Sequence, residues 1–231
     1  MIVRPRYLEN IKPFINKPQI KILTGIRRSG KSTVLRLLKE ELFVNGVKKE
    51  HIITLNFESF AYSELAEAPQ LYLFIKNEIR TQHKYYLLLD EIQEVKNWEK
   101  AVNSFLVDFE VDIYLTGSNS HLLSSELATY LAGRYVEIPV YTLSYKEFLD
   151  FRSHYFSEQE NTQNLFLHYL RMGGFPVIHT LDYTEESAYK VIYDIYSSVI
   201  LRDTVQRYKI RDVELLERVI KYAFDNIGNT F

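Results

Sequence analysis

The chain has 231 residues, of which 46% are hydrophobic and 25% charged, a balance that suits one large domain or a domain with a smaller appendage, around a sizeable core. Its 28 basic and 30 acidic side chains leave a net charge of −2, so no global charge excess points to a surface coated with nucleic acid or bound to membrane. There is no cysteine, which excludes disulfides, thiol catalysis and cysteine-based zinc sites.

The start, "MIVRPRYLEN", has no apolar segment of the secretory kind, and no apolar run approaches the roughly 20 residues that span a bilayer. A soluble, cytoplasmic protein without a membrane partner is expected. The 18 tyrosines read as half-buried positions at rims and interfaces.

The first half alternates between two periods. The β-rich runs are "QIKILTG" (19–25), "HIITLNF" (51–57), "KYYLLLDEI" (84–92), "VDIYLTGS" (111–118) and "RYVEIPV" (134–140). Between them stand "KSTVLRLLKEELFVNG", "PQLYLFIKNEIRTQ", "NWEKAVNSFLVDF" and "SSELATYLA", with apolar residues at three- and four-residue spacing, as in Val34, Leu37, Leu38 and Leu42. Gly46 is a reasonable stop for the first of these helices, and Asn97 a cap for the helix that Trp98 opens. Strands alternating with helices imply right-handed crossovers and a mostly parallel sheet covered on both faces. The nearly unbroken apolar run Tyr85 to Leu89 is expected of its central strand.

Beyond about Pro139 the pattern turns helical. "TLSYKEFLDFRSHYF" predicts a helix, "SEQENTQN" a polar linker, "LFLHYLRM" a second helix, and Gly173-Gly174 with Pro176 a break or hinge. "SAYKVIYDIYSSVILRDTVQRY" and "DVELLERVIKYAFDNI" follow as helices. The expected organisation is an α/β core over residues 1–141, with a five-stranded parallel sheet flanked by helices, followed by a small all-helical lid domain over 142–231.

Gly25-Ile-Arg-Arg-Ser29-Gly30-Lys31-Ser32 fits G-x-x-x-x-G-K-[ST], and it lies between a predicted strand and a predicted helix, the context the motif requires. Gly25 and Gly30 let the backbone curl so that successive N–H groups, that of Ser29 included, face phosphate oxygens. The helix opening at Lys31 aims its positive end at the same place. Lys31 would reach the β- and γ-phosphates, Ser32 would complete a Mg²⁺ shell, and Thr33 would help at the α-phosphate. Arg27 and Arg28 read as solvated loop residues, the alternative being that they add charge around the polyphosphate.

"YYLLLDEIQ" delivers Asp90 to the carboxyl end of a buried strand, where it can hold Mg²⁺ opposite Ser32. Glu91 follows, and a second carboxylate there can orient and deprotonate an attacking water. The pair tips the reading from phosphotransfer to a small metabolite toward hydrolysis.

"YLTGSNS" places Ser118 first, and Asn119 second, as contacts to the γ-phosphate or the lytic water, against a plain Ser/Asn turn. A guanidinium is wanted for charge on the transferring group. Arg134 in "LAGRY" is the leading candidate, in cis or across a subunit contact of a homo-oligomer, and Arg202 is a lid-side candidate. A structural ion pair and a surface charge are the respective alternatives. The six histidines show no metal-binding spacing, and the guanine-reading N-K-x-D pattern is missing, which favours ATP over GTP.

"ILTGIRRSGKST", "YLLLDEIQEVKNWEKAV", "YLTGSNSHLL", "LAGRYVEIPVYTLSYKEFL" and "GGFP" together resemble a family of bacterial and archaeal AAA+ superfamily ATPases with a C-terminal domain of unknown function. The resemblance runs from Arg6 to about Asn226. It implies an ATPase core plus a helical lid, with Lys31, Ser32, Asp90 and Glu91 at the family's functional positions and Ser118 and Arg134 at motif positions whose roles are less settled. Chains of that family continue through a winged-helix-like segment into a nuclease-like domain, so the sequence is expected to stop short of that region. The expected activity is Mg²⁺-dependent ATP hydrolysis coupled to movement of the helical domain. The alternative is a slow nucleotide-gated switch that binds a protein or DNA partner.

Overall fold

The computed structural model describes residues 2–117, 131, 133–156, 162–181 and 184–228, with backbone alone at 162–163, 200–203 and 206–207. Among the described residues five strands form one sheet: β1 (Ile20–Thr24), β2 (Ile52–Asn56), β3 (Tyr85–Asp90), β4 (Val111–Gly117) and β5 (Tyr135–Pro139). Their order is β2-β3-β4-β1-β5, and every pairing is parallel. The crossovers carry α2 (Lys31–Val44), α3 (Ala68–Glu78) and α4 (Trp98–Asp108), and a short α1 (Pro5–Ile11) precedes the sheet.

Side-chain alternation along the strands explains the two layers. Leu87, Leu89, Ile113 and Leu115 face α3 and α4, where Leu71, Ile75, Trp98 and Phe105 pack on them. Tyr86, Leu88, Tyr114 and Leu23 face the other way, onto Tyr7 and Ile11 of α1 and Val34, Leu35 and Leu38 of α2. All six residues of β3 are buried, as expected of a strand covered on both sides. Trp98 is core packing; Asn97 before it has φ 55° and makes no side-chain cap bond, which corrects the expected cap.

Helices α5 (Tyr145–Tyr155), α6 (Thr162–Met172) and α7 (Glu185–Tyr196) follow β5. Ser144 and Glu147 form a reciprocal capping box that starts α5. The Gly173-Gly174 turn docks on the strand-to-helix linker: a Cβ on Gly174 would stand 2.4 Å from the Leu143 carbonyl oxygen, and Leu143 N–H donates to the Gly174 carbonyl at 2.6 Å. The long helix expected over 187–208 is interrupted, because Ser197–Thr204 widens into a π-helix before α8 (Val205–Tyr208). Last comes α9 (Val213–Asp225), with no buried residue. No helix among the described residues is long and apolar enough to cross a membrane.

Candidate active site

The sheet's carboxyl edge carries the site. Between Thr24 and Lys31 the chain passes through three left-handed positions, Gly25 (φ 151°), Arg28 (φ 64°) and Gly30 (φ 103°). Gly25 has a second constraint: a Cβ there would lie 2.2 Å from the Val140 carbonyl oxygen, so no larger residue fits against β5's exit. At the start of α2 no side chain caps the helix, which leaves its first amides to an incoming acceptor.

Lys31 is 4% exposed. Its Nζ donates back to the loop, to the Gly25 carbonyl at 3.1 Å and the Ile26 carbonyl at 3.4 Å, and lies 3.6 Å from Glu91 Oε1. The Ser29 hydroxyl is buried without a partner among the described residues.

Ser32 donates its hydroxyl to Asp90 Oδ1 at 3.0 Å. Thr116, at the end of the neighbouring strand β4, donates to the same oxygen at 2.5 Å and accepts the Glu91 N–H at 2.9 Å. Burial pushes the Asp90 carboxyl above its ordinary value, against the bonds donated by Thr116 and Ser32 and with the Glu91 charge. A hydroxyl and a buried carboxylate side by side are the oxygen donors a hard divalent cation takes, and its charge would offset what burial costs Asp90. Among the described residues no cluster of three acidic or histidine side chains offers a separate metal centre.

Glu91 occupies the left-handed region, φ 54°, which turns its side chain out of the strand. Its Oε2 accepts from Gln93 Nε2 at 2.6 Å, and the other oxygen is the one that faces Lys31.

Gly30, Lys31, Ser32, Thr33 and Glu91 line one wall of a cavity of about 500 Å³, within the range of small-molecule sites, and Asp90 stands behind Ser32. Ile2, Arg4, Arg28 and Arg36 line it too, and Phe151, Tyr155, Pro176 and Val177 close it from the helical part. Arg28 thus faces the cavity, whereas Arg27 forms an exposed pair with Glu58 at 2.8 Å.

Lys31, Ser32, Thr33, Asp90 and Glu91 therefore converge as spaced in the sequence, while Arg134 does not join them. Its carbonyl pairs with Ile20 N–H at 2.8 Å, at the beginning of β1, and its Nη1 donates to Asn103 at 2.6 Å. The loop leaves the other end of β1, so about five residues, ~16 Å, of strand intervene. Action of Arg134 on its own chain's loop, expected as one option, is corrected by that distance. Ser118 and Asn119 lie outside the described residues, as does the Arg202 side chain.

Thr116, Gln93 and Arg4 were not singled out from sequence. Thr116 had a signal: it shares a strand face with Tyr114, the face that meets Leu88 of β3. Arg4 had none, because its partners other than Tyr7 lie far along the chain.

The parallel sheet in this order, with a Gly-rich loop at the exit of β1 and an acidic pair at the exit of β3, defines an α/β P-loop ATPase fold. The chain belongs to the AAA domain family, whose model matches residues 17–149. An uncharacterized protein of Haemophilus influenzae is 40% identical over 229 residues, covering 99% of this chain and 56% of its own length. An uncharacterized protein of Methanocaldococcus jannaschii is 34% identical over 230 residues, covering 94% of this chain and 49% of its own. The chain thus spans about half the length of the curated relatives it matches. Among solved structures, the Walker-type ATPase of Pyrococcus abyssi superposes with TM-score 0.60 at 15% identity over 96% of this chain and 78% of that one. AMPPCP-bound DnaA of Aquifex aeolicus gives 0.51 at 14% identity over 100% and 73%. At such identities the likeness is one of fold.

Proposed function

We propose that the chain is a cytoplasmic, Mg²⁺-dependent ATP hydrolase in which residues 1–141 hold the nucleotide and the helical residues 142–231 move in response. The observation that carries this reading is the convergence at one cavity wall: Ser32 stands 3.0 Å from Asp90, and Lys31 3.6 Å from Glu91. The AMPPCP-bound neighbour supports an adenine nucleotide, and the apolar walls Ile2, Phe151 and Val177 suit a purine ring.

The Ser29 N–H, expected to face phosphate, is donated to the Ile26 carbonyl at 3.1 Å inside the loop, so the amides from Gly30 onward, at the open end of α2, bind the polyphosphate. Lys31 leaves the Gly25 and Ile26 carbonyls for the β- and γ-phosphates. Ser32 and Asp90 would hold Mg²⁺, which when bound spreads the negative charge of those phosphates. Glu91 takes a proton from water as the water oxygen bonds to the γ-phosphorus. The bond from that phosphorus to the β–γ bridging oxygen breaks, and ADP and phosphate depart. Gln93, bonded to Oε2, keeps the Glu91 carboxylate turned with Oε1 toward the reacting group. Ser118 remains a candidate for γ-phosphate contact. Arg134 is kept as a finger only across a subunit contact in a homo-oligomer. Because Phe151 and Tyr155 of α5 help close the cavity, filling and emptying it changes what the helical part rests on.

The test is phosphate release from ATP with Mg²⁺, in the presence and absence of DNA. Release that depends on Lys31 supports the reading, and none under any condition removes it. A slower switch gripping a protein or DNA partner is favoured by one observation, that both Glu91 oxygens are already engaged. Hydrolysis that rises only with the partner would select it.

A further inference from the structure

We propose that Arg4 is a positioning residue that sets the phosphate loop and the first helix of the helical part in one arrangement, so that nucleotide in the loop and placement of α5 are energetically coupled. This rests on the nucleotide-binding reading of the cavity. Arg4 is 1% exposed, and every nitrogen of its guanidinium is engaged. Nη1 donates to the Ser29 carbonyl at 2.9 Å. Nε and Nη2 donate to the two carboxylate oxygens of Glu147 at 2.8 and 3.2 Å. Nη2 also reaches the Tyr141 carbonyl at 3.0 Å and the Tyr7 hydroxyl at 3.2 Å. One rigid, planar group thus touches the loop, the exit of β5, α1 and the first turn of α5.

Each end of this contact has a consequence in the cavity. A trans peptide points its carbonyl and the next N–H in opposite directions. Fixing the Ser29 carbonyl on the Arg4 side therefore fixes the Gly30 N–H on the other, and with it one of the donors an anion in the loop would use. At the far end, Glu147, Phe151 and Tyr155 are spaced i, i+4, i+8 along one stripe of α5. Phe151 and Tyr155 line the cavity, so the residue that holds Glu147 also sets where those two rings stand. Linkage makes the coupling reciprocal: ordering the loop steadies α5, and a displaced α5 weakens the loop's hold on phosphate.

Two variants test this, with ADP and AMPPCP as probes. Affinity is read by calorimetry, and backbone hydrogen exchange in 145–155 is read with and without nucleotide. In the parent, nucleotide slows exchange in that helix. Arg4→Lys presents one point charge in place of the fork, so nucleotide affinity falls at least tenfold and the slowing disappears. Glu147→Gln leaves the Arg4–Ser29 bond and the Ser144 cap in place. There affinity falls less than tenfold, and the nucleotide-dependent slowing is still lost. Should Arg4→Lys fail to fold, Glu147→Gln carries the test alone. Parent-like affinity and parent-like slowing in the folded variants overturn the coupling while leaving the site reading intact. A parent that binds neither nucleotide overturns the site reading, and this inference with it.

Discussion

The Lys31 ammonium lies 3.6 Å from Glu91 Oε1, so the group proposed to meet the γ-phosphate and the group proposed to deprotonate water are neighbours before any nucleotide arrives. Their pairing balances charge in a buried wall, and a phosphate oxygen drawing Lys31 away leaves that Glu91 oxygen ready to accept a proton. Glu91→Gln removes the base and keeps the shape. Nucleotide affinity should hold or rise, since a negative charge near the phosphates is gone, while turnover falls about 10²- to 10⁴-fold. Single-turnover phosphate release measures it. Parent-like turnover in that variant would mean the water is activated elsewhere.

Thr116 joins both acids, donating to Asp90 and accepting the Glu91 N–H. Thr116→Val keeps the volume but leaves that N–H unpaired and Asp90 with one donor fewer. The expected cost is about 1–3 kcal/mol of stability and about 10- to 100-fold in turnover. Thr116→Ser should restore most of both. If valine and serine behave alike in chemical denaturation and in turnover, the hydroxyl has no such role.

How much of this was legible beforehand depends on how far each cause reaches along the chain. The five strands fall where the β-rich runs put them; in the central strand burial on both faces writes itself as a continuous apolar run, Tyr85 to Leu89, whereas edge strand β5 buries only Ile138. The phosphate-loop pattern is equally local. Helix α1 escaped because only Tyr7 and Ile11 are buried in it, one i, i+4 pair and too little to show a period. The π-helical stretch Ser197–Thr204 escaped because widening from four to five residues per bond has no compositional mark. Arg4 lies 25 residues from Ser29 and 143 from Glu147, and only the folded chain brings the three together. Arg134 stood beside a predicted strand, but its end of the strand decides its reach, and that depends on all strands being parallel.

His179 sits between Phe148 and Phe151, with ring centroids 4.8 and 5.6 Å away, on the 3₁₀ turn that brings Pro176 and Val177 to the cavity. Burial, and after it the Arg152 charge, holds its pKa down to about 4 from 6.5. The unfolded chain takes up a proton near 6.5 and the folded chain only near 4. This contribution to stability is therefore complete above pH 6.5 and is lost as pH falls from there toward 4. His179→Leu should lose less stability than the parent over that window, so the difference between the two shifts toward the variant on acidification. Urea midpoints at pH 7 and 4.5 measure it, and a constant difference would contradict the buried neutral imidazole.

Lys21 and Asp112 form a buried pair at the opposite end of the sheet from the loop, both almost fully enclosed. Asp112 also accepts from Tyr114 OH at 2.9 Å and from Asn16 N–H at 2.7 Å, and Lys21 donates to the Lys17 carbonyl at 2.9 Å. Burial lowers the Lys21 pKa, and the Asp112 charge is what opposes that. Asp112→Asn leaves the ammonium without a counter-charge and should cost about 3–5 kcal/mol. Replacing both partners, as Lys21→Met with Asp112→Asn, removes the stranded charge and should recover part of that loss, the remainder staying with the Tyr114 and Asn16 donors. Because β1 separates this network from Gly25, nucleotide affinity of the folded fraction should match the parent in both variants. Urea denaturation monitored at Trp98, with nucleotide titrations below the transition, separates the two effects. A single variant as stable as the parent would mean that Lys21 gives up its proton at no cost.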